Sequence, residues 1–387
     1  MTDQDILSIC NRAELPSPSF IVHRGLLQNN LDLLGDVQNR SGGKIILALK
    51  GFAMFSTFPQ IRQTLCGTTA SSMAEAQLGF DEFGGEVHTY FVAYRKEEIR
   101  QLSQQAHHIS INSLSQWLQF KEIALSAENK ASYGLRINPE YSEVETAIYN
   151  PCRIGTRFGI TASQLDGVDL SGIDGLHFHS MCEQNSDTLQ RTLEQVEAKF
   201  GKYLHQMKWL NMGGGHHITR PDYDVDLLVQ LIKHMRETYQ LKVYLEPGEA
   251  VALNTGFLVA SVLDIFQSGD RQLAILDTSA SAHMPDVLEM PYRPEIIGGG
   301  EANEKKYTYE LGGHTCLAGD IIGQWSFDQP LEIGSRLVFT DMAHYSMVKT
   351  TTFNGVQLPS IASYFPAEDK IEVSRSYGYE DYKSRLS

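Results

Sequence analysis

Cysteine is scarce in this chain, and its placement suggests no framework. The five residues fall at 10, 66, 152, 182 and 316 without paired spacing, which argues against a disulfide-stapled scaffold or a zinc site and leaves any that matters as a thiol. No metal centre is expected. No apolar run approaches the length of a membrane span, and Met1-Thr-Asp-Gln-Asp-Ile-Leu lacks the basic start and apolar core of a signal peptide, so a cytoplasmic protein is expected. Basic residues are in deficit, 32 Lys and Arg against 47 Asp and Glu, for a net charge of −15. That sign disfavours nucleic acid and anionic membranes as partners and suits a cationic small molecule. Repeats, low-complexity tracts and charged tails are absent as well.

What is present is a regular alternation. With 387 residues, 42% of them apolar, the chain is long enough for two domains. Ser19–His23 reads as a short strand, followed by Leu27, Leu31, Leu34 and Val37 at helical spacing. Strand-like runs then recur at 45–50, 67–72, 87–92, 108–112, 133–138, 175–179, 209–212 and 243–246, with amphipathic helices between them. About eight strands interleaved with helices predict a (β/α)8 TIM-like barrel over residues 24–250 rather than an open doubly wound sheet. Pro139–Gly159 interrupts the period and reads as an extended loop. After Gly248 the pattern changes to short strands separated by Gly, Pro and Asp turns, which predicts a β-sandwich or β-barrel domain over 251–387, joined by residues 1–23.

Residues of chemical interest gather at the carboxyl ends of the predicted strands, the end of a barrel where loops build sites. Lys50 closes the run Ile45-Ile-Leu-Ala-Leu49. A lone lysine there usually snorkels into water, but one partly desolvated in a cleft has a lowered pKa, and its neutral amine can attack a carbonyl to form a Schiff base. Arg136 lies late in the fifth run, His179 ends the sixth, Gly213-Gly-Gly215 follows the seventh and Glu246-Pro-Gly248 ends the eighth. A triple glycine is by itself a tight turn, but after a barrel strand it lets backbone N–H groups approach a phosphate. His179 alone reads as a core or surface histidine, yet its flat ring could stack on a planar heterocycle. Glu246 alone reads as a solvated turn acid; opposite a pyridine nitrogen it would keep that nitrogen protonated. In the β domain, Gly312-Gly-His-Thr-Cys316-Leu-Ala-Gly-Asp320 and Asp341-Met-Ala-His-Tyr345 are the densest clusters of small and polar residues, neither with metal-ligand spacing.

Taken in order over about residues 18–365, these motifs resemble the alanine-racemase-like, fold type III pyridoxal 5'-phosphate (PLP) decarboxylases, which include the ornithine, arginine and diaminopimelate decarboxylases. The details Ala48-Leu-Lys50-Gly-Phe, His177-Phe-His179-Ser-Met-Cys-Glu183, Glu246-Pro-Gly-Glu249-Ala, Asp277-Thr-Ser-Ala-Ser-Ala-His-Met-Pro-Asp286 and His314-Thr-Cys316-Leu-Ala-Gly-Asp320 are most similar to the members that act on carboxylated polyamines. The resemblance implies that Lys50 carries PLP, His179 stacks on its ring, Glu246 binds its nitrogen, and Gly213, Gly214, Gly215 and Tyr345 hold its phosphate. It further implies that Glu75, Arg136 and Arg157 support the cofactor or its surrounding loop, and that Cys316 crosses a homodimer interface to protonate the product in the partner's site.

Two positions depart from the ornithine and diaminopimelate pattern. Glu249 replaces the arginine of an EPGR motif, and Leu317 follows Cys316 where those relatives carry an acid that reads the distal end of the substrate. Glu183, Asp286 and Asp320 are the candidates to replace that acid. Alternatives remain at this stage: diaminopimelate or ornithine as substrate, racemisation on the same fold, or an inactive PLP-binding regulator. Glu246 opposes racemisation, and retention of both Lys50 and Cys316 opposes a binding module.

Overall fold

The first strand, β1 (Ser19–His23), precedes the predicted alternation. In it, β2 (Lys44–Ala48), β3 (Gly67–Ala70), β4 (Glu86–Tyr90), β5 (His108–Ile111), β6 (Ser132–Arg136), β7 (Ile173–His177), β8 (Trp209–Asn211) and β9 (Lys242–Leu245) follow one another. Each pairs in parallel with the next, and β9 pairs back onto β2, closing an eight-stranded barrel. The computed structural model describes residues 1–126 and 128–387. Burial of both faces explains the unbroken apolar runs: Ile45, Ile46 and Leu47 are each 0% exposed. The chain forms two compact units, Asn29–Val251, which contains the barrel, and Met1–Gln28 with Ala252–Ser387.

Aromatic and charged side chains fill the amino-terminal end of the barrel. Gly175 on β7 is in register with Trp209 on β8 and with Gly134 on β6. The Trp209 indole occupies the space those glycines leave: a Cβ on Gly175 would lie 2.0 Å from it and one on Gly134 2.3 Å. His108 stacks on it at 4.4 Å and 6°, Ile46 and Tyr244 pack with it, and its Nε1 donates to Ser132 Oγ at 2.9 Å. Alongside, Lys44 Nζ meets Glu86 Oε1 at 2.5 Å, and His88 Nε2 lies 3.0 Å from Glu86 Oε2. Lys44, Glu86, His108 and Trp209 all open their strands, so this layer is a floor opposite the end where loops carry chemistry.

Each barrel strand stops one or two residues before the end of its predicted run, and at three of them this places a side chain of the site. The Gly51 and Phe52 N–H groups both donate to Ala48 O, at 3.0 and 3.2 Å, so the chain turns before Lys50. Likewise β7 ends at His177 and β9 at Leu245, which leaves Lys50, His179 and Glu246 just above the ladder. Residues 139–159 carry no helix or strand, and the segment is bracketed by a bridge between Ile137 and Ile160.

The second unit is a mixed sheet built from β1 with β10 (Gly256–Ser268), β11 (Arg271–Leu276), β12 (Tyr307–Gly312), β13 (Ile321–Phe327), β14 (Arg336–Phe339), β15 (Ser360–Phe365) and β16 (Lys370–Arg375). β1 lies between β10, antiparallel, and β15, parallel. The long β10 pairs with β1 and β14 over its first half and with β11 over its second, changing partners at the irregularity between Val262 and Asp264. Strand alternation supplies apolar cores to both faces. Phe20, Leu258 and Ala260 pack with Trp325 and Phe339, while Ile21, Phe257 and Val259 pack with Val338, Ala362 and the Ile9–Cys10 end of the first helix. Among the described residues, no helix is long and apolar enough to cross a membrane, and no cluster of His, Cys, Asp and Glu is placed to hold a metal ion.

Candidate active site

Barrel closure itself brings Lys50 and Glu246 together, because β2 and β9 are neighbours. The turn after Lys50 packs on the turn after Glu246 so tightly that a Cβ on Gly51 would lie 3.0 Å from Gly248 Cα. The Lys50 side chain is open to solvent, but the protein mass around it makes its ammonium costly. Lost hydration lowers its pKa and Arg136 adds to the effect, while Glu246, Cys182 and Glu75 oppose it. The chain thereby makes this ammonium easier to deprotonate than that of an ordinary lysine.

Glu246 is 9% exposed and well supplied with partners. Its Oε1 accepts from Asn211 Nδ2 at 2.6 Å, and His177 Nε2 faces Oε2 at 3.5 Å, too long to close a good hydrogen bond. Burial alone would raise the carboxyl pKa; His177 and Asn211 overcome that and hold it down to about 2. Asn211 also accepts the Gly213 N–H at 2.9 Å through Oδ1, so one amide ties the carboxylate to the glycine run.

The glycines are required by close approach and by backbone conformation. Gly213 and Gly215 have φ of +71° and +81°, in the left-handed region that other residues disfavour. A Cβ would lie 2.3 Å from Phe178 O at Gly213, 2.5 Å from Glu246 O at Gly214 and 2.1 Å from Met181 O at Gly215. The Gly214 N–H donates to His179 Nδ1 at 2.8 Å. That bond fixes the tautomer with its proton on Nε2, and burial, Lys50 and Arg136 push the ring's pKa well below its ordinary value. His179 is therefore neutral. Gly213 and Gly214 have spent their amides, whereas that of Gly215 has no partner among the described residues.

Arg136 is 4% exposed, and its guanidinium lies against the rings of Tyr90 and Phe158 at 4.3 and 4.6 Å. It donates to His179 O at 3.3 Å, which steadies the loop carrying that ring. Tyr90 donates to Asn112 Oδ1 at 2.7 Å, and Asn112 Nδ2 donates to Arg157 O at 2.9 Å, pinning the far end of the 139–159 loop. Glu75 accepts from the Ser71 N–H at 2.7 Å through Oε2, while Ser72 caps the Glu75 amide; burial raises the Glu75 pKa, against the backbone bond and Lys50.

The three acids expected to read a distal amine have different surroundings. Glu183 is exposed, at φ +54°, with its carbonyl held by Arg220 Nη1 at 3.1 Å. Asp286 is half-buried and paired with Lys349 Nζ at 2.5 Å. Asp320 is the most enclosed of the three: at 3% exposure it accepts from Ser279 Oγ, Ser281 N–H, and the N–H and Oγ1 of Thr315. It organises the loop that carries Cys316 and has no exposed carboxylate to offer a substrate. Cys316 is exposed, its N–H donates to Asn354 Oδ1 at 2.7 Å, and Leu317 beside it is 44% exposed. Tyr345 is half-buried at φ +41° and opens the short helix Ser346–Lys349. Sequence reasoning missed the roles of Asn211, His177, Tyr90, Asn112 and Asn354. For the first two, the available signal was a polar residue closing an otherwise apolar strand.

The family model "Pyridoxal-dependent decarboxylase, C-terminal sheet domain" matches residues 20–343. The chain is 46% identical to a carboxyaminopropylagmatine decarboxylase of Synechocystis, covering 99% of this chain and 98% of the relative. It is 42% identical to a carboxynorspermidine/carboxyspermidine decarboxylase of Campylobacter jejuni, covering 96% and 99%. Among solved structures, the carboxynorspermidine decarboxylase of Campylobacter jejuni complexed with norspermidine superposes with a TM-score of 0.89 at 41% identity, covering 96% of this chain and 100% of that one.

Proposed function

The chain belongs to the pyridoxal-dependent decarboxylases, and on that premise we propose that it holds PLP on Lys50 and decarboxylates carboxynorspermidine and carboxyspermidine to norspermidine and spermidine. One observation carries the reading: at one end of the barrel, an amine whose ammonium is disfavoured stands with a buried carboxylate that is held ionised.

The residues fit the cofactor. An ionised Glu246 can hold a proton on a pyridine nitrogen, neutral His179 can lie on a ring without adding charge, and the free Gly215 amide in its close-packed glycine run suits a phosphate oxygen. When bound, PLP supplies an electron sink for the pair left on the substrate's α-carbon as carbon dioxide departs. Lys50 would hold the cofactor through its amine, whose ammonium is disfavoured here, and Arg136 holds the His179 backbone in place. Cys316 would return a proton to the α-carbon. Because it stands exposed beside Leu317 and Phe353, themselves 44% and 48% exposed, we assign it to the site of a second copy, which makes the working enzyme a homodimer. The same reading places it in the cytoplasm.

The net charge of −15 suits a polycation, and the likeness to carboxynorspermidine/carboxyspermidine decarboxylases of Campylobacter jejuni and Herminiimonas arsenicoxydans supports a substrate with an amino-acid head and a long cationic tail. The Synechocystis relative favours a second reading, in which the tail ends in the guanidinium of carboxyaminopropylagmatine. The protein incubated with PLP and each of carboxynorspermidine, carboxyspermidine, carboxyaminopropylagmatine, ornithine and diaminopimelate, with products identified by mass, tests both. Loss of carbon dioxide from a carboxynorspermidine-type substrate is expected. Turnover of the guanidino compound alone would transfer the assignment to the second reading, and turnover of none would overturn both.

A further inference from the structure

His177 is the least explained residue in the site. It is 1% exposed and ends β7, two residues before His179, in register with Arg136 on β6 and Asn211 on β8. Its ring stands edge-on to Tyr90 at 5.4 Å and 89°. Neither ring nitrogen has a good hydrogen bond, although both are buried. Such a group is costly unless it has a task. The carboxylate it faces has one oxygen already satisfied by Asn211; the other, Oε2, has among the described residues only Nε2 of His177 in front of it, 3.5 Å away.

Resting on the reading above, we propose that His177 is a positioning residue: it donates from Nε2 to Glu246 Oε2, and so keeps that carboxylate ionised and turned to hold the proton on the cofactor's ring nitrogen. The imidazole suits the task because it is neutral. Burial lowers its pKa, and of the groups facing it Arg136 on β6 and His88 on β4 disfavour its cation while Glu246 favours it. Tyr90, also on β4, and Asn211 on β8 complete its surroundings without charge at neutral pH. A neutral donor lets Glu246 keep its charge for the pyridinium, whereas a permanent cation in that place would compete for it. The 3.5 Å gap shortens when Glu246 is drawn into a pair, as catalytic hydrogen bonds commonly do on loading.

The test compares His177→Leu, His177→Gln and His177→Asn with the wild-type holoenzyme, following the pH titration of the bound cofactor's visible absorbance together with kcat and KM. Glutamine carries its amide donor about where Nε2 lies, and asparagine carries it where Nδ1 lies. In His177→Leu and His177→Asn, the ring nitrogen should lose its proton about one pH unit earlier and kcat should fall about tenfold with KM little changed; His177→Gln should stay within about threefold of wild type. If the leucine variant does not fold, the glutamine–asparagine pair decides alone. Asparagine and glutamine variants with the same titration, or a leucine variant with the wild-type titration, overturn the proposal while PLP binding stands. A wild-type protein that takes up no PLP overturns the reading on which it rests.

Discussion

Asn211 holds Glu246 by one end of its amide and the Gly213 backbone by the other, at 2.6 and 2.9 Å. The group proposed for the pyridine nitrogen and the run proposed for the phosphate are thus set at a fixed separation by one side chain. Asn211→Leu should weaken cofactor affinity about tenfold or more, since it strips a buried carboxylate of a hydrogen bond worth about 1.5–3 kcal/mol. Cofactor titration by fluorescence quenching measures it; unchanged affinity would mean that the two sites do not depend on this amide.

Acid should expose the same carboxylate. Its folded pKa is held at about 2 against an ordinary 4.5, so it contributes stability above pH 4.5 that is lost as pH falls towards 2. In the apo protein, Glu246→Gln should therefore be less stable than wild type at pH 7, and the gap should narrow by pH 3. Denaturant melts at the two pH values give the comparison, and a constant gap would show that Glu246 is not so held.

Covalent capture is the direct test of Lys50. Borohydride reduction of the PLP-loaded protein should bleach its visible band and leave a pyridoxyl group on Lys50 in peptide maps, while Lys50→Ala takes no label. A label on another lysine would refute the assignment.

If Cys316 serves a second copy, inactive Lys50→Ala and Cys316→Ala proteins should regain activity on subunit exchange, because one site of the mixed dimer has both residues. The Cys316 N–H is anchored by Asn354, which sits at φ +55°. Asn354→Gly keeps that conformation but removes the anchor, so it should lower kcat about tenfold without changing cofactor loading. Exchange demonstrated by mass without recovered activity would refute the shared site.

On the function proposed above, Leu317 should set substrate choice. Ornithine would leave its distal ammonium beside an apolar side chain, and an unpaired buried charge costs several kcal/mol; a carboxypolyamine can lay methylenes there and carry its cations past to an exposed acid such as Glu183. The expected order of kcat/KM is carboxynorspermidine ≥ carboxyspermidine ≫ ornithine, lysine and diaminopimelate, with one methylene worth about 1–3 kcal/mol. Leu317→Asp should narrow the gap. Equal turnover of ornithine in competition assays would refute this use of Leu317.

The barrel was legible because its strands are buried on both faces: runs such as Ile45–Leu49 have no amphipathic alternation to confuse them with surface strands. Lys50, His179 and Glu246 were legible as polar residues at the ends of such runs. Asn211 and His177 occupy equivalent places, but their significance lies in each other's side-chain direction, which a linear pattern does not carry. The surroundings of Asp320 were hidden for the same reason: the sequence puts an acid near Cys316 without revealing that it turns inward to Ser279 and Thr315. Asn354 is 38 residues from the amide it holds, a separation that no local motif spans.

The indole on the barrel floor sets a rule for how this chain can diverge. Because Trp209 occupies the volume that side chains on Gly134 and Gly175 would need, the three positions are sterically linked: the tryptophan demands both glycines, and a smaller residue in its place would release both. A side chain at either glycine is therefore tolerated only together with a smaller residue at 209, so change on this floor must come in concert.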